Sequence, residues 1–380
     1  MNKRLILSTI IIAALGIGSA AQSPRRGESG KFEPYDNMAL LYGGNMARDP
    51  AEWTKERLRP HVTYTDRDGR EHWLFDAFLA LEIYDRPTKD AQASALGIGY
   101  GERNGDKANW THFLDYWFAE DTGLGALNAV VGEAKSRLGE PSRTRKVVIS
   151  IPDPIPFEQW KDPTSNTIYW GEVDGRKLDF AKGEDRAAAC KWFVDEATKR
   201  FKEAGYNNLT LEGFYCFSEE LVTTDNGYNP IIKRWEEVYP AVSDYVHSLG
   251  MSMSWIPYNW ATGSECWQRY HFDFVMIQPN YLWHPEYSME EWKDRLVKNN
   301  LSMELEIDDK VLYGAPDWEK FRERFYYYFQ MCKDLGLYGN CVLSYYMGSN
   351  TLYKLSTATN PIDIQLYNDF CTFILGNQQH

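Results

Sequence analysis

Eight short apolar runs alternate with about eight helix-period segments between residues 38 and 376, and nothing else in the chain restricts its fold so tightly. The runs are 38–42, 73–81, 146–151, 209–215, 251–256, 274–277, 301–307 and 341–346. Most are β-branched or aromatic, as strands buried on both faces are. The segments between them carry helix end signals. Pro50 follows Asp49, a cap with a first-turn proline. The run 185–204 has apolar residues at helical spacing and stops at Gly205, and 230–249 stops at Gly250, with Pro240 placed to bend or break it. Ser288 and Glu291 form a capping box ahead of Trp292, Leu296 and Val297. The runs 316–335 and 361–375 stop at Gly336 and Gly376. Strict βα alternation at this count predicts an α/β fold, a single closed (β/α)8 TIM barrel over 37–380. An open doubly wound sheet would show a glycine-rich phosphate turn after an early strand. Leu41-Tyr42-Gly43-Gly44-Asn45 lacks that spacing, and Gly97-Ile98-Gly99-Tyr100-Gly101 has no strand directly before it.

The amino terminus has another plan. Lys3 and Arg4 precede an apolar stretch from Leu5 to Ile17, followed by small residues at Gly18 to Ala21. That reads as a secretory signal peptide over 1–21, too short for a membrane span, so the chain is expected to be exported to the periplasm or beyond. Residues 22–36 are polar and read as a flexible lead-in. No second apolar run reaches membrane length, so no span is expected in the mature chain. With 41 basic and 54 acidic residues the net charge is −13, which disfavours a nucleic-acid partner. Cys190, Cys216, Cys266, Cys332, Cys341 and Cys371 are widely spaced without a CxxC, so they show no metal spacing and no evident pairing. Cys216 and Cys341 fall in strand runs and read as small buried thiols.

Two connections are long, 82–125 after the second strand and 152–184 after the third. Both leave strand carboxyl ends, where barrel enzymes build their sites. They hold Trp110, Tyr116, Trp117, Trp160, Tyr169 and Trp170, most of which are expected to pack the loops themselves, with some rimming a cleft. The acidic residues are more telling. In the seventh strand Glu304, Glu306 and Asp308 share one face, while Met303, Leu305 and Ile307 share the other. The apolar set must meet the helices, so the acidic set points into the barrel, with Glu306 roughly 6–7 Å nearer the mouth than Glu304. In the fourth strand Glu212 lies inside the run, and Glu219 and Glu220 follow at the mouth. Carboxylates at the mouths of strands 4 and 7 face each other across the axis, the arrangement glycoside hydrolysis requires. Glu219 or Glu220 is the candidate acid and Glu306 the candidate nucleophile, with Glu304 beside it. Amides, phenols and further acids at strand ends suit sugar hydroxyls: Asp76, Asp153, Glu212, Tyr258, Asn259, Gln278, Asn280, Tyr281, Trp283, Tyr345 and Tyr346.

The runs Trp73-Leu74-Phe75-Asp76, Leu211-Glu212-Gly213-Phe214-Tyr215 with Glu219, Ile256-Pro257-Tyr258, Gln278-Pro279-Asn280-Tyr281 and Met303 to Asp308 together resemble domain-of-unknown-function family 4855. The resemblance spans nearly all of the mature chain. It implies an exported bacterial protein with a glycosidase-like barrel and a carbohydrate ligand. The strand-4 and strand-7 carboxylates also resemble the acid/base and nucleophile placement of the large retaining glycosidase clan. That clan usually has Asn-Glu at the end of strand 4, whereas this chain has Ser218-Glu219-Glu220, so the choice of acid stays open.

Three functions compete. The first is a secreted glycoside hydrolase acting on an oligo- or polysaccharide by a retaining two-carboxylate mechanism. The second is a non-catalytic glycan-binding protein on the same scaffold. The third, a metal-dependent hydrolase, ranks last: His112, His271 and His284 show no ligand spacing, and HExxH and GxSxG are absent. No metal or other cofactor is expected. Oligomeric state is open.

Overall fold

A computed structural model describes residues 35–43, 52–86, 88, 91–97, 103–156, 170–221, 232–348 and 350–378. The signal peptide, Pro50, Trp160, Tyr169 and both glycine-rich stretches beyond Gly43 and Gly97 lie outside these residues.

Eight parallel strands close into a barrel: β1 (Asn37–Tyr42), β2 (Ala77–Leu81), β3 (Arg145–Ile151), β4 (Leu209–Cys216), β5 (Ser252–Trp255), β6 (Phe274–Ile277), β7 (Ser302–Glu306) and β8 (Leu343–Tyr346). Each strand pairs with its neighbours in sequence, and β8 returns to β1. The fold is therefore the expected (β/α)8 barrel. The run 73–81 divides, however. Trp73 ends a separate hairpin, Thr63–Thr65 with Glu71–Trp73, and the barrel strand starts at Ala77.

The helical layer comprises α1 (Lys55–Val62), α2 (Lys107–Trp117), α3 (Gly123–Leu138), α4 (Gly183–Ala204), α5 (Tyr239–Ser248), α6 (Met289–Lys298), α7 (Trp318–Asp334), α8 (Thr351–Ser356) and α9 (Pro361–Asn377). The end signals act as read at Gly205, Gly250 and Gly336, at Ser288 and at Pro240. Gly205 takes φ 61 after α4, a conformation that costs a side-chain-bearing residue dearly. Ser288 Oγ accepts the Glu291 amide, capping α6. Pro240 breaks its segment: a 3-10 turn over Ile232–Glu237 ends before it, and it occupies the first turn of α5, where its missing N–H is harmless. Gly376 differs. The helix α9 runs through it, and a Cβ there would sit on the Tyr338 hydroxyl, so this glycine serves close approach and not termination. After β5 the layer is completed by a 3-10 segment, Ser264–Tyr270.

Two cores result. Outward-facing strand residues such as Leu41, Ile149, Phe214, Met303 and Leu305 pack against the helices. A smaller inner core, including Tyr35, Met38, Leu79, Val148, Tyr215, Phe274 and Met276, fills the barrel axis. Tyr35 and Asp36 are buried, so the lead-in ends before them: Tyr35 plugs the barrel and Asp36 joins the hydrogen bonding at its amino end. The long loop after β2 carries α2 and a small three-stranded sheet, and the loop after β3 carries the hairpin Gly171–Val173 with Arg176–Leu178. Trp110, Trp117 and Trp170 are buried within this loop layer, as expected of most of its aromatics. All six cysteines are free thiols, and Cys216 and Cys341 are buried. Among the described residues no helix is long and apolar enough to cross a membrane.

Candidate active site

Strand parity builds the site. In β7, Met303 and Leu305 enter the outer core with Ile307 just beyond, while Glu304 and Glu306 point into the barrel and are buried. Glu306 receives only donors. Asn280 gives its backbone N–H and its Nδ2 to Oε1, both at 3.1 Å, and the Tyr328 hydroxyl gives its proton to Oε2 at 2.6 Å. That hydroxyl meanwhile accepts the Leu282 amide at 2.7 Å, so its single proton is committed to Glu306. Asn280 reaches the carboxylate from a left-handed backbone, φ 53, which asparagine tolerates better than most residues. Burial pushes the Glu306 carboxyl up to about 8; the Tyr328 and Asn280 bonds hold it down, and nearby Glu219 adds to the rise.

The fourth strand contains a β-bulge between Leu211 and Gly213 against β3. One extra residue reverses the alternation. Tyr215 and Phe217 therefore face the axis, and Glu219, two residues further, enters the cleft. Glu220 turns away and accepts the Thr262 hydroxyl at 2.7 Å. Tyr258 N–H fixes the Glu219 carbonyl at 3.2 Å. The Glu219 carboxyl accepts one amide, Gln278 Nε2 at 3.2 Å, and burial raises it above the ordinary carboxylate range despite that bond.

A chain of amides with fixed polarity joins the two acids. The Asn259 N–H donates to Asn280 Oδ1, so Asn280 Nδ2 faces Glu306 and Gln278 Oε1, and Gln278 Nε2 faces Glu219. Glu219, Glu306 and Glu304 open with Tyr42, Ile83, Gln278, Asn280, Trp283 and Tyr346 onto one cleft of about 450 Å³ at the carboxyl end of the strands. Trp283 is braced by Asp308 at 2.8 Å and lies edge-on to Tyr346, which meets Tyr42 the same way. Among the described residues no group of three or more His, Cys, Asp or Glu side chains is arranged to hold a metal ion.

Other sequence candidates sit elsewhere. Asp76 precedes β2 at the amino end, where its carboxylate takes the Asp36 and Asn37 amides at 2.9 and 2.8 Å. Glu212, the residue at the bulge, pairs with Lys146 at 3.2 Å near the same end. Asp153 accepts the Tyr239 hydroxyl at 3.1 Å, under the helices. Tyr281 packs at a tilt against Tyr327, ring centroids 5.4 Å apart, in a separate outer groove. Tyr345 faces the helix layer and bonds Asn37; its neighbour Tyr346 is the one that reaches the cleft. Tyr258 and Asn259 brace the loops beneath the lining.

The family model for DUF4855, a domain of unknown function, matches residues 37–372. The chain belongs to the DUF4855 family. No curated protein sequence matches this DUF4855 barrel. Among solved structures, D-allulose 3-epimerase from a Methylomonas species is similar over 91% of this chain and 99% of its own, at 11% identity and a TM-score of 0.40. A structure of the pneumococcal virulence factor StrH covers 90% of this chain and 84% of its own, at 11% identity and 0.37. Tryptophan synthase from M. tuberculosis covers 90% and 93%, at 12% and 0.34. Tyr42, Ile83 and Tyr328 are the candidate-site residues that sequence reasoning did not select, whereas Tyr346 was read with Tyr345 at the end of the eighth strand. Parity along β1 and β8 marks Tyr42 and Tyr346, but nothing in the helical run Phe325-Tyr326-Tyr327-Tyr328-Phe329 marks Tyr328 as the one that enters the barrel wall.

Proposed function

We propose that this chain is an exported glycoside hydrolase that cleaves an oligo- or polysaccharide by a retaining mechanism. The reading rests above all on one observation: two buried carboxyl groups share a cleft but have opposite surroundings. Glu306 is fed by three donors, which favours the ionised form that attacks. Glu219 has only a single amide partner to hold its anion, and burial raises its carboxyl as it does that of Glu306, so a protonated Glu219 is available as the acid. In the first step Glu306 bonds to the anomeric carbon while Glu219 gives its proton to the departing glycosidic oxygen. In the second, Glu219 takes a proton from water, the water oxygen bonds to the anomeric carbon, and Glu306 leaves as carboxylate. Tyr42, Trp283 and Tyr346 supply ring faces and edges for the sugar. The resemblance of the strand-4 and strand-7 placement to that of the retaining glycosidase clan is what supports retention. The test is reducing-end release from a broad glycan panel. Wild type and E220Q are expected to release product, whereas E306Q folds normally and releases none. Full turnover by E306Q, or glycan binding by wild type with no product from any glycan, would overturn the reading.

A further inference from the structure

The third carboxyl group of the cleft is not needed for the two-step chemistry. Glu304 is 2% exposed, yet it has a single hydrogen-bond partner among the described residues, the Ser344 hydroxyl at a long 3.5 Å. It lines the cleft beside Glu306, two residues deeper on the same strand. The described lining has three carboxyl groups and no Lys, Arg or His. We propose that Glu304 is the specificity-determining residue of this cleft: it accepts a hydrogen-bond-donating ring substituent, hydroxyl or ammonium, and excludes sugars whose ring there carries a carboxylate or sulfate.

The inference rests on the glycan-cleft reading above and narrows it to a substrate class. A buried carboxyl group with one weak partner has acceptor capacity to spare, and a sugar hydroxyl or ammonium supplies the missing donor. An anionic substituent would be desolvated in a cleft whose described lining offers no cation to compensate its charge, which is discrimination by uncompensated burial. Burial together with Glu306 and Glu219 already holds the Glu304 carboxyl well above the usual carboxylate range, so the empty cleft favours its neutral form. An ammonium would draw out the ionised form; a hydroxyl can use the carbonyl oxygen of the neutral one.

The test measures binding in the E306Q protein, where turnover does not interfere. A glycan array comes first. Calorimetry then compares the tightest neutral or amine-bearing binder with uronate-containing and sulfated oligosaccharides of matching backbone. The expected result is binding of uncharged or amine-bearing glycans, with anionic counterparts weaker by at least about tenfold, and a gap reduced to roughly threefold in E304Q/E306Q. Equal or tighter binding of the anionic glycans by E306Q, or an unchanged gap in E304Q/E306Q, overturns the assignment and leaves the hydrolytic reading standing. The first comparison decides even if the second variant does not fold. Binding of no glycan by wild type or E306Q overturns both.

Discussion

Tyr328 shows how one hydroxyl can set the state of another group. It accepts the Leu282 amide and donates to Glu306, so it can only favour the ionised carboxylate. Removing it has a definite sign. In Tyr328→Phe, Glu306 loses a bond that lowers its pKa, and its carboxyl rises above about 8. In the proposed mechanism Glu306 attacks as the anion, so the limb of kcat/KM against pH that Glu306 governs, near 8 in wild type, should move to higher pH. A lost hydrogen bond to a charged group is worth about 1.5–3 kcal/mol, so kcat/KM near neutrality should fall by tenfold or more. The pH profile checks this: a reduced rate with an unmoved limb would mean Tyr328 only packs. At this scale the sequence was partly legible. Glu306 could be singled out because an acid on a buried strand face needs a reason. Tyr328 could not, because a helical tyrosine between other aromatics looks like core.

Among the elements, β7 and β4 teach opposite lessons. Unbroken alternation in β7 let the inward face be assigned from sequence. In β4 the bulge at Glu212 reverses the parity, and counting from Glu212 alone would send Glu220, not Glu219, into the cleft. A bulge leaves little mark in composition beyond Gly213, whose absent Cβ would collide with Ser252. Glu212 does not line the cleft: it answers buried Lys146 near the amino end of the barrel. Removing one partner of a buried ion pair leaves a bare charge inside, so Lys146→Met should cost about 3–5 kcal/mol in denaturant unfolding. Adding Glu212→Leu should recover most of that loss. A neutral Lys146→Met would show that the pair is screened by water.

At the scale of the molecule, alternation of eight strands with helices was enough to specify the closed ring, because parallel strands need helical crossovers and their right-handed twist brings the eighth beside the first. What the alternation could not specify was which residues reach the cleft, since that depends on loops after β6 and on packing from α7. The 15% aromatic content divides accordingly: most of it fills the loop layer and the helix layer, and only Tyr42, Trp283 and Tyr346 line the cleft among the described residues. The ring thus brings Glu306 of β7, Glu219 beyond β4 and the amides beyond β6 to one opening. The most direct measurement is azide rescue of Glu306→Ala on a glycan that wild type cleaves. Azide should restore turnover and give a glycosyl azide of inverted anomeric configuration, with no azide dependence in Glu304→Ala. Unimpaired hydrolysis by Glu306→Ala without azide, or rescue confined to Glu304→Ala, would contradict the account.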